Sequence, residues 1–345
     1  MFLYELFNKT AKKGLPFTAK IALTPECNLS CRHCYVGPQQ GRILDAREFK
    51  EIISQLAASG VLFLTLTGGE PMMHPGFWEI VDFARRCRFF LRVFTNGTFI
   101  DEKAAEHLTR YGVNEVYTSL YGHEPHIHER ITGITGSFDK TVNAIQLLKR
   151  QGLEVQVKSS VMTLNRDYSK EIENFCRGLG VKYNISYMLS PRTDGSEEPC
   201  LLQCPGGLDT DTHINYFPDS SDYPDPTVPA GNRPSPCPAG ENSLFIEYDG
   251  TLYPCVNFRY PCGNLTKTPL EQLWNSKEMI ELRRGKITTG KCAGCSMISS
   301  CLRCPGLSHY EARRKDGYSR MQCCQTRLLK NMKERSVISD NEGLC

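Results

Sequence analysis

Short apolar runs alternate with amphipathic stretches between residues 19 and 188 of the chain. Continuous apolar runs of this length are typical of buried strands, and apolar residues every three or four positions are typical of helices. The predicted strands are residues 19–24, 61–67, 89–95, 115–120, 153–161 and 182–188. The predicted helices are residues 45–58, 75–87, 102–111, 138–150 and 167–179, with Asp45, Asp101 and Ser137 as candidate caps. This alternation predicts an α/β fold with a parallel sheet and right-handed crossovers.

Composition and charge narrow the class of protein. A chain of 345 residues is long enough for one large domain and a smaller one. A net charge of +3 with 23% charged residues indicates neither nucleic acid nor an anionic membrane as an obligate partner. No run of about eighteen apolar residues is present, and the first residues lack the basic-then-apolar order of a signal peptide.

The chain contains 17 cysteines. Without an export signal, so many cysteines are difficult to explain as disulfides, because the cytosol keeps thiols reduced. Metal clusters explain them better. We therefore expect a cytoplasmic protein, protected from oxygen, that binds metal through its cysteines.

Cys27, Cys31 and Cys34 share one short loop with the spacing C-x3-C-x2-C. A [4Fe–4S] cluster normally takes four cysteine ligands, so a loop with three leaves one iron open to a ligand that is not protein. Zinc is the alternative, since a distant Cys or His can complete its site. The three-residue gap and the motifs that follow favour the iron–sulfur cluster.

This loop is followed by Tyr35, by Leu66-Thr67-Gly68-Gly69-Glu70-Pro71, by Thr95-Asn96-Gly97 and by Ser119-Leu120-Tyr121-Gly122. Over about residues 18–190 the combination resembles the radical S-adenosylmethionine (SAM) superfamily. The resemblance implies a partial (β/α)6 TIM-like barrel, in which chemistry lies at the C-terminal ends of the strands. It also implies that the open iron binds the amino and carboxylate groups of SAM. Reductive cleavage of SAM would then give a 5′-deoxyadenosyl radical that abstracts hydrogen from a substrate.

The same resemblance assigns a set of SAM-binding residues: Tyr35, Gly68, Gly69, Glu70, Asn96, Ser119 and Arg130. The glycines allow a close backbone approach to the methionyl amino group, with Glu70 assisting. Asn96 and Ser119 would lie near the ribose and carboxylate, although a turn or a cap also accounts for each. Tyr35 either packs on the adenine or belongs to the core, and Arg130 is a carboxylate partner. We interpret His123, His126 and His128 as a solvated loop.

A second group of cysteines follows an irregular segment at residues 209–236 that is rich in Pro, Asp, Ser and Gly. A hairpin turn at Asp249-Gly250 is predicted between Cys237 and Cys255. Over about residues 237–327 the chain resembles the SPASM extension of radical enzymes that act on peptides, which implies two auxiliary [4Fe–4S] clusters and three clusters in all. By resemblance, cluster I takes Cys237, Cys255 and Cys304. Cluster II takes Cys292, Cys295, Cys301 and either Cys323 or Cys324.

Two departures from the SPASM pattern affect this ligand set. Two residues separate Cys301 from Cys304, where the family usually has three. Cluster I also lacks an obvious fourth ligand. The candidates are Cys200, Cys204 and Cys262, and the alternative is an open iron that holds a substrate thiolate. The predicted divisions are a barrel at 1–190, a linker at 191–236, the SPASM domain at 237–330 and a tail at 331–345.

The resemblance predicts an oxidoreductase that modifies a ribosomally made precursor peptide, forming a thioether or carbon–carbon crosslink or a related oxidation. The alternatives are formylglycine formation in sulfatases and a small-molecule substrate such as a tetrapyrrole or a sugar. The expected electron donor is a flavodoxin or ferredoxin. About eighteen residues precede the first predicted strand, so we expect leader-peptide recognition by a separate protein or by another part of the fold.

A hypothesis of another class is a zinc-stabilised, non-catalytic binding protein. Two C-x2-C pairs are the usual signature of structural zinc. This hypothesis predicts a colourless protein that does not cleave SAM, whereas three [4Fe–4S] clusters predict a brown protein with about twelve irons per chain.

Overall fold

The computed structural model describes residues 2–38, 41–204, 237–285, 295–297, 301, 304–312, 319–320, 322–323 and 326–327. The strands there are β1 (Thr18–Ala22), β2 (Phe63–Thr67), β3 (Phe90–Thr95), β4 (Glu115–Ser119), β5 (Glu154–Ser160), β6 (Lys182–Ser186), β7 (Ser243–Ile246) and β8 (Leu252–Tyr253). The helices are α1 (Phe2–Lys13), α2 (Ala46–Ala58), α3 (Phe77–Arg86), α4 (Glu102–Arg110), α5 (Pro125–Thr132), α6 (Ser137–Arg150), α7 (Ser169–Gly178), α8 (Leu270–Trp274), α9 (Lys277–Gly285) and α10 (Pro305–Ala312).

The strands form one eight-stranded sheet in the order β6-β5-β4-β3-β2-β1-β7-β8. All neighbours are parallel except β7 and β8, which form the predicted antiparallel hairpin. Parallel strands need crossover connections, and α2, α3, α4, α6 and α7 supply them. The six predicted strands and the α/β class are confirmed, and the architecture is a partial TIM-like barrel.

The core lies between the sheet and its helices. Side chains on one face of the strands, such as Leu64, Leu91 and Val116, are completely buried. Their alternating neighbours point to the opposite, concave face, because side chains along a strand alternate between two faces. The larger hydrophobic contribution therefore comes from the outer layer, and the concave face carries charged, polar and aromatic residues.

Two of the three predicted caps are confirmed. Asp45 forms a capping box with Glu48, and Asp101 accepts a hydrogen bond from the backbone N–H of Ala104. The prediction for Ser137 is wrong, because α6 begins at this residue and Gly136 precedes it. A carboxylate from α5 takes the capping role there. Glu129 accepts from the backbone N–H groups of Gly136 (2.7 Å) and Phe138 (3.4 Å).

The C-terminal hairpin is continuous with the barrel sheet. Thr18 to Ile21 of β1 pair in register with Ser243 to Ile246 of β7. The backbone carbonyl of Asn242 accepts from the N–H groups of Phe17 and Thr18. The amide of Asn242 donates to the carbonyl of Phe7 in α1, a helix that the sequence pattern did not predict. The proposed division at residue 237 therefore crosses a shared sheet. No helix in the described segments is apolar and long enough for a bilayer crossing.

Candidate functional site

The ends of β1 and β2 remain paired beyond the strands. The backbone N–H of Gly69 donates to the carbonyl of Thr24 (2.7 Å), and that of Glu70 donates to the carbonyl of Glu26 (2.7 Å). A Cβ on Gly69 would lie 2.2 Å from the Glu26 carbonyl oxygen, and one on Gly68 would lie 2.5 Å from that of Thr24. Only glycine permits this approach. The pair therefore fixes the backbone that leads into the cysteine loop, which we define as residues 27–34.

Glu70 joins the end of β2 to the end of β3. Its carboxylate is fully buried and accepts hydrogen bonds from the Thr95 hydroxyl (2.8 Å), the Asn96 backbone N–H (2.7 Å) and the Met72 backbone N–H (3.2 Å). Burial raises the pKa of Glu70 to about 7, against the opposing effect of these hydrogen bonds. The predicted role of Glu70 in SAM binding stays a prediction, and its contacts in the structure brace the strand ends.

Asn96 connects the end of β3 to the cysteine loop. Its side-chain amide donates to the Asn28 side-chain oxygen (2.9 Å) and lies 3.7 Å from the Cys27 sulfur. Its side-chain oxygen accepts from the backbone N–H of Thr98 (2.9 Å). Both the NH2 group and the oxygen of the Asn96 side chain are therefore hydrogen-bonded. The first cysteine is held in place by the strand end.

The three thiols of the cysteine loop lie close to one another. Burial raises the pKa of Cys27, Cys31 and Cys34. For Cys31, the charges of Cys34 and Cys27 raise the pKa further, and this effect requires short distances between the sulfurs. The backbone N–H of Cys34 closes a turn on the carbonyl of Cys31 at 3.0 Å. Because thiols must ionise to bind iron, cluster binding would release these protons.

This donor set fits a [4Fe–4S] cluster with three protein ligands. Among the described residues, no three His, Cys, Asp or Glu side chains converge tightly enough to chelate a single metal ion. Each thiolate of a [4Fe–4S] cluster binds a different iron, so cluster ligands stand further apart than the ligands of one zinc ion. Ligation by the three cysteines remains a prediction, and the loop geometry is compatible with it.

The cysteine loop is docked on the C-terminal end of α5. The backbone N–H of Ser30 donates to the carbonyl of Thr132 (2.9 Å), and that of Arg32 donates to the carbonyl of Ile131 (3.0 Å). Arg130 lies on the same helix, is exposed, and donates to the carbonyl of Leu164. Its predicted role as a carboxylate partner of SAM stays a prediction.

The interpretation of the three histidines as a solvated loop is wrong for His128. His126 and His128 belong to α5, and His128 is 1% exposed. Its Nδ1 accepts a hydrogen bond from the backbone N–H of Tyr121 (3.1 Å). Burial lowers the pKa of His128 to about 4, so the ring stays neutral in this position.

Ser119 lies at the end of β4, two residues before Tyr121. The Tyr121 ring contacts the His33 ring edge-on, with a centroid distance of 4.6 Å. Burial raises the pKa of Tyr121, and the charges of Cys31, Cys34 and Cys27 raise it further. Tyr121 therefore lies under the cysteine loop.

Tyr35 lines a cavity of about 190 Å³ between the strand ends and the hairpin. Thr24 and Gly68 lie on its barrel side, and Glu247 and Arg259 lie on its hairpin side. Burial raises the pKa of Tyr35, and the charges of Cys34 and Cys255 raise it further. Tyr35 therefore lies where the strand ends of the barrel meet the hairpin.

The three cysteines assigned to auxiliary cluster I also converge. Burial raises the pKa of Cys304 to about 12, and the charges of Cys237 and Cys255 contribute in the same direction. The backbone N–H of Cys304 donates to the side-chain oxygen of Gln322 (2.7 Å). Three thiols that are distant in sequence thus meet beside the hairpin.

The residues assigned to cluster II are described only in part. Cys295, Cys301 and Cys323 are half-buried, and the Thr326 hydroxyl lies 3.4 Å from the Cys301 sulfur. Cys292 and Cys324 lie outside the described residues. The assignment of this cluster and the choice between Cys323 and Cys324 stay predictions.

The three candidates for a fourth ligand of cluster I have different surroundings. Cys262 belongs to the main hydrophobic core, and its thiol lies 3.4 Å from the Tyr260 carbonyl oxygen. Cys204 packs on a small cluster around Tyr187. The pKa of Cys200 is raised by burial and by neighbouring carboxylates. The core position of Cys262 favours a structural role.

Comparison with known proteins identifies the family. Residues 21–178 match the Radical SAM superfamily, and residues 237–305 match the SPASM iron–sulfur cluster-binding domain. The chain belongs to the radical SAM superfamily and carries a SPASM domain. It is an enzyme of that superfamily, whose chemistry uses SAM and a [4Fe–4S] cluster.

Several curated relatives cover most of this radical SAM chain. The AdoMet-dependent heme synthase of Oleidesulfovibrio alaskensis is 25% identical over 331 residues, which covers 86% of this chain and 84% of that protein. The mycofactocin maturase MftC of Mycobacterium tuberculosis is 27% identical and covers 84% of this chain and 78% of its own. The subtilosin biosynthesis protein AlbA of Bacillus subtilis is 29% identical, covering 76% of this chain and 60% of its own length.

Solved structures of radical SAM proteins share the fold. Streptococcus suis SuiB superposes with a TM-score of 0.70 at 15% identity, covering 92% of this chain and 80% of that chain. The structure of anSMEcpe with AdoMet and the Cp18Cys peptide gives a TM-score of 0.68 at 17% identity, covering 95% and 99%. At such identities the likeness concerns the fold alone.

Sequence reasoning missed two neighbours of the radical SAM cysteines. Tyr121 was noted only as part of a motif at the end of β4, and His33 was not considered. The one available signal was the position of His33 inside the C-x2-C spacing of Cys31 and Cys34. The spacing does not say whether the side chain at this position faces the interior or solvent. In the structure, the His33 ring faces the interior and contacts the Tyr121 ring.

Proposed function

We propose that this enzyme reductively cleaves SAM and uses the radical to oxidise a ribosomally made peptide, forming a thioether or carbon–carbon crosslink or a related product. The cavity lined by Tyr35 carries this proposal, because it is bounded both by the strand ends at Thr24 and Gly68 and by Glu247 and Arg259 of the hairpin side. Residues beside the cysteine loop and residues of the hairpin thus line a single cavity. A net two-electron oxidation needs a second acceptor near the substrate, and an auxiliary cluster at Cys237, Cys255 and Cys304 would meet that need.

In this proposal, Cys27, Cys31 and Cys34 hold the SAM-binding cluster. The cluster and SAM together supply a 5′-deoxyadenosyl radical when bound. The residues that position SAM are Tyr35, Gly68, Gly69, Glu70, Asn96, Ser119 and Arg130. The auxiliary clusters, which bring the total to three, use the cysteines of the proposed SPASM domain at residues 237–330. A flavodoxin or ferredoxin delivers the electron to the SAM-binding cluster. A separate protein can recognise the leader peptide. The proposed location of the reaction is the cytoplasm.

The names of several relatives support a peptide substrate. They include the PqqA peptide cyclase of Gluconobacter oxydans, the mycofactocin maturase and AlbA, and SuiB has been solved with its precursor peptide SuiA. The second candidate is a tetrapyrrole, which the heme synthases favour because they match this chain at 25% identity over most of both lengths. Formylglycine formation rests on fold similarity alone.

Transfer of deuterium to SAM tests the substrate class. The reconstituted enzyme is incubated anaerobically with SAM, dithionite and an extract of the source organism grown in D2O. We expect 5′-deoxyadenosine to gain deuterium, and we expect protease treatment of the extract beforehand to abolish the gain. Label that survives protease treatment would overturn the peptide proposal in favour of a small molecule. Absence of label in both extracts would contradict both candidates.

A further inference from the structure

Cationic side chains from three non-adjacent strands meet on the concave face of the sheet. The ammonium of Lys20 on β1 lies 4.8 Å from the centroid of the Phe94 ring, and that of Lys158 on β5 lies 4.4 Å from the same centroid. Arg92 on β3 lies two residues before Phe94 and therefore on the same face. Because β2 and β4 separate these strands, only the curvature of the barrel brings the groups together.

The arginines of this region have carboxylate partners. Arg92 pairs with Glu115 at 2.6 Å, and Arg259 pairs with Glu247 at 2.6 Å. Neither Lys20 nor Lys158 forms a salt bridge with any described residue. Their ammonium groups lie over aromatic rings instead, with Lys158 also 4.6 Å from the Tyr117 centroid.

A third donor on the same face is also unused. Gln156 lies two residues before Lys158 on β5 and is 1% exposed. Its side-chain oxygen accepts from the Asn184 amide (3.2 Å), but its buried Nε2 has no hydrogen-bond partner among the described residues. An unpartnered buried amide N–H is destabilising, because it has lost its hydrogen bonds to water. Two unpaired ammonium groups and one unpaired amide therefore share an interior face.

This arrangement is unfavourable without a ligand. Burial lowers the pKa of Lys158 to about 7 and also lowers that of Lys20, since the interior disfavours the charged amines. An anion would restore the charged state of both lysines and satisfy the amide. Glu115 and Glu247 already pair with the arginines, so a ligand carboxylate would meet two lysines that form no salt bridge with a described residue.

We propose that Lys20, Lys158 and Gln156 form a carboxylate-binding subsite inside the barrel. Lys158 pairs in register with Ser119, so the subsite lies directly beneath the strand edge to which SAM binding is assigned. Lys20 pairs in register with Phe245 of the hairpin. A substrate carboxylate held here would lie between the end of β4 and the hairpin. The inference rests on the proposed function only for the identity of the molecule that carries the carboxylate.

Lysine footprinting tests the subsite without SAM cleavage. The anaerobic holoenzyme is acylated with acetic anhydride at pH 7 in the presence of glutarate or its uncharged diamide, and labelled lysines are quantified by mass spectrometry. We expect glutarate to protect Lys20 and Lys158 several-fold, and the diamide to protect neither. Lys158→Met should weaken glutarate binding about tenfold or more, since it removes a hydrogen bond to a charged group.

Two further variants control for the loss of charge and for the loss of a surface lysine. Lys158→Arg retains the charge and should bind glutarate, and Lys103→Met on the exposed face of α4 should bind glutarate as the wild type does. Equal protection by the diamide, stronger protection by inorganic phosphate, or normal glutarate binding by Lys20→Met and Lys158→Met would overturn the subsite.

The same footprint identifies the source of the carboxylate. A blocked Gly-Glu-Gly tripeptide and an iron tetracarboxylate porphyrin are compared as ligands. Protection by either supports the subsite and assigns the carboxylate to a peptide or to a tetrapyrrole, and protection by neither overturns it. Because no radical chemistry is involved, failure of this test is distinguishable from failure of the deuterium experiment.

Discussion

The two cysteine groups of this enzyme are held in different ways. The cysteine loop is short in sequence. Backbone hydrogen bonds between the ends of β1 and β2 fix the segment that leads into it, and α5 and the side chain of Asn96 hydrogen-bond the loop itself. The group at Cys237, Cys255 and Cys304 assembles thiols that are far apart in the chain. Among its described contacts, the side chain of Gln322 anchors the backbone at Cys304.

This difference indicates that the cysteine loop is preformed, whereas the arrangement of the C-terminal cysteine group depends on metal binding. The barrel determines the position of the cysteine loop whether or not iron is bound, because the loop is constrained by backbone hydrogen bonds to α5 and follows the paired ends of β1 and β2. For the C-terminal group, cluster ligation itself supplies constraints between distant segments, as in other proteins where metal binding is coupled to folding. The following changes separate the two regions.

The largest expected effect is on SAM cleavage. Cys31→Ala removes one of the three proposed ligands of the loop cluster, so 5′-deoxyadenosine production under dithionite should fall to background. Cys304→Ala should lose auxiliary iron and product formation but retain SAM cleavage. Cys87→Ala at the end of α3 is the control and should keep about twelve irons per chain. Measurable 5′-deoxyadenosine from Cys31→Ala would remove the catalytic assignment of the loop.

A smaller effect is expected from the glycine that fixes the loop. Gly69→Ala places a Cβ 2.2 Å from a backbone oxygen, so the β1 and β2 ends must separate at a cost of about 1–3 kcal/mol. The melting temperature should fall by several degrees, and the loop cluster should bind iron less completely than the auxiliary clusters. Gly178→Ala on α7 meets no atom within 4 Å and should leave both quantities unchanged or slightly improved. Equal behaviour of the two variants would contradict the close-approach argument.

The smallest effect concerns pH and the buried carboxylate that braces the loop. The pKa of Glu70 is raised from 4.5 to about 7 in the folded protein, so its contribution to the free energy of unfolding is greatest below pH 4.5 and is lost as pH rises through 7. Wild type should therefore lose about 2 kcal/mol relative to Glu70→Gln between pH 5 and pH 8. Denaturant unfolding of both proteins at each pH measures this difference, and parallel pH profiles would refute it.

The sequence pattern predicted the elements whose signal is local. The six barrel strands have buried apolar runs, and Asp45 and Asp101 have the short oxygen that a helix start requires. Contacts between distant segments had no such signal. β7 pairs with β1 although more than two hundred residues separate the two strands in the chain. Likewise, the residue that caps α6, Glu129, belongs to another helix. The sequence pattern did not predict α5, because Pro125 and the two histidines of this helix are weak helix formers on average.

Within the site, sequence spacing predicted which thiols share the loop but not what surrounds them. The glycines were assigned to a ligand, and the structure shows backbone carbonyls at the positions a Cβ would fill. The lysines inside the barrel carry no motif, since their meeting depends on curvature. Sites formed by residues that are adjacent in sequence can be predicted from the sequence. Sites formed by distant strands that the curvature of the sheet brings together cannot.

The placement of β7 beside β1 also affects biosynthesis. Until the ribosome has released the residues after 242, the N-terminal strand has a bare hydrogen-bonding edge next to a finished row of five neighbours. Such an edge invites pairing with other nascent chains. The edge of β1 is therefore covered only after the ribosome has synthesised β7. Chains truncated before β7 should accumulate as insoluble protein.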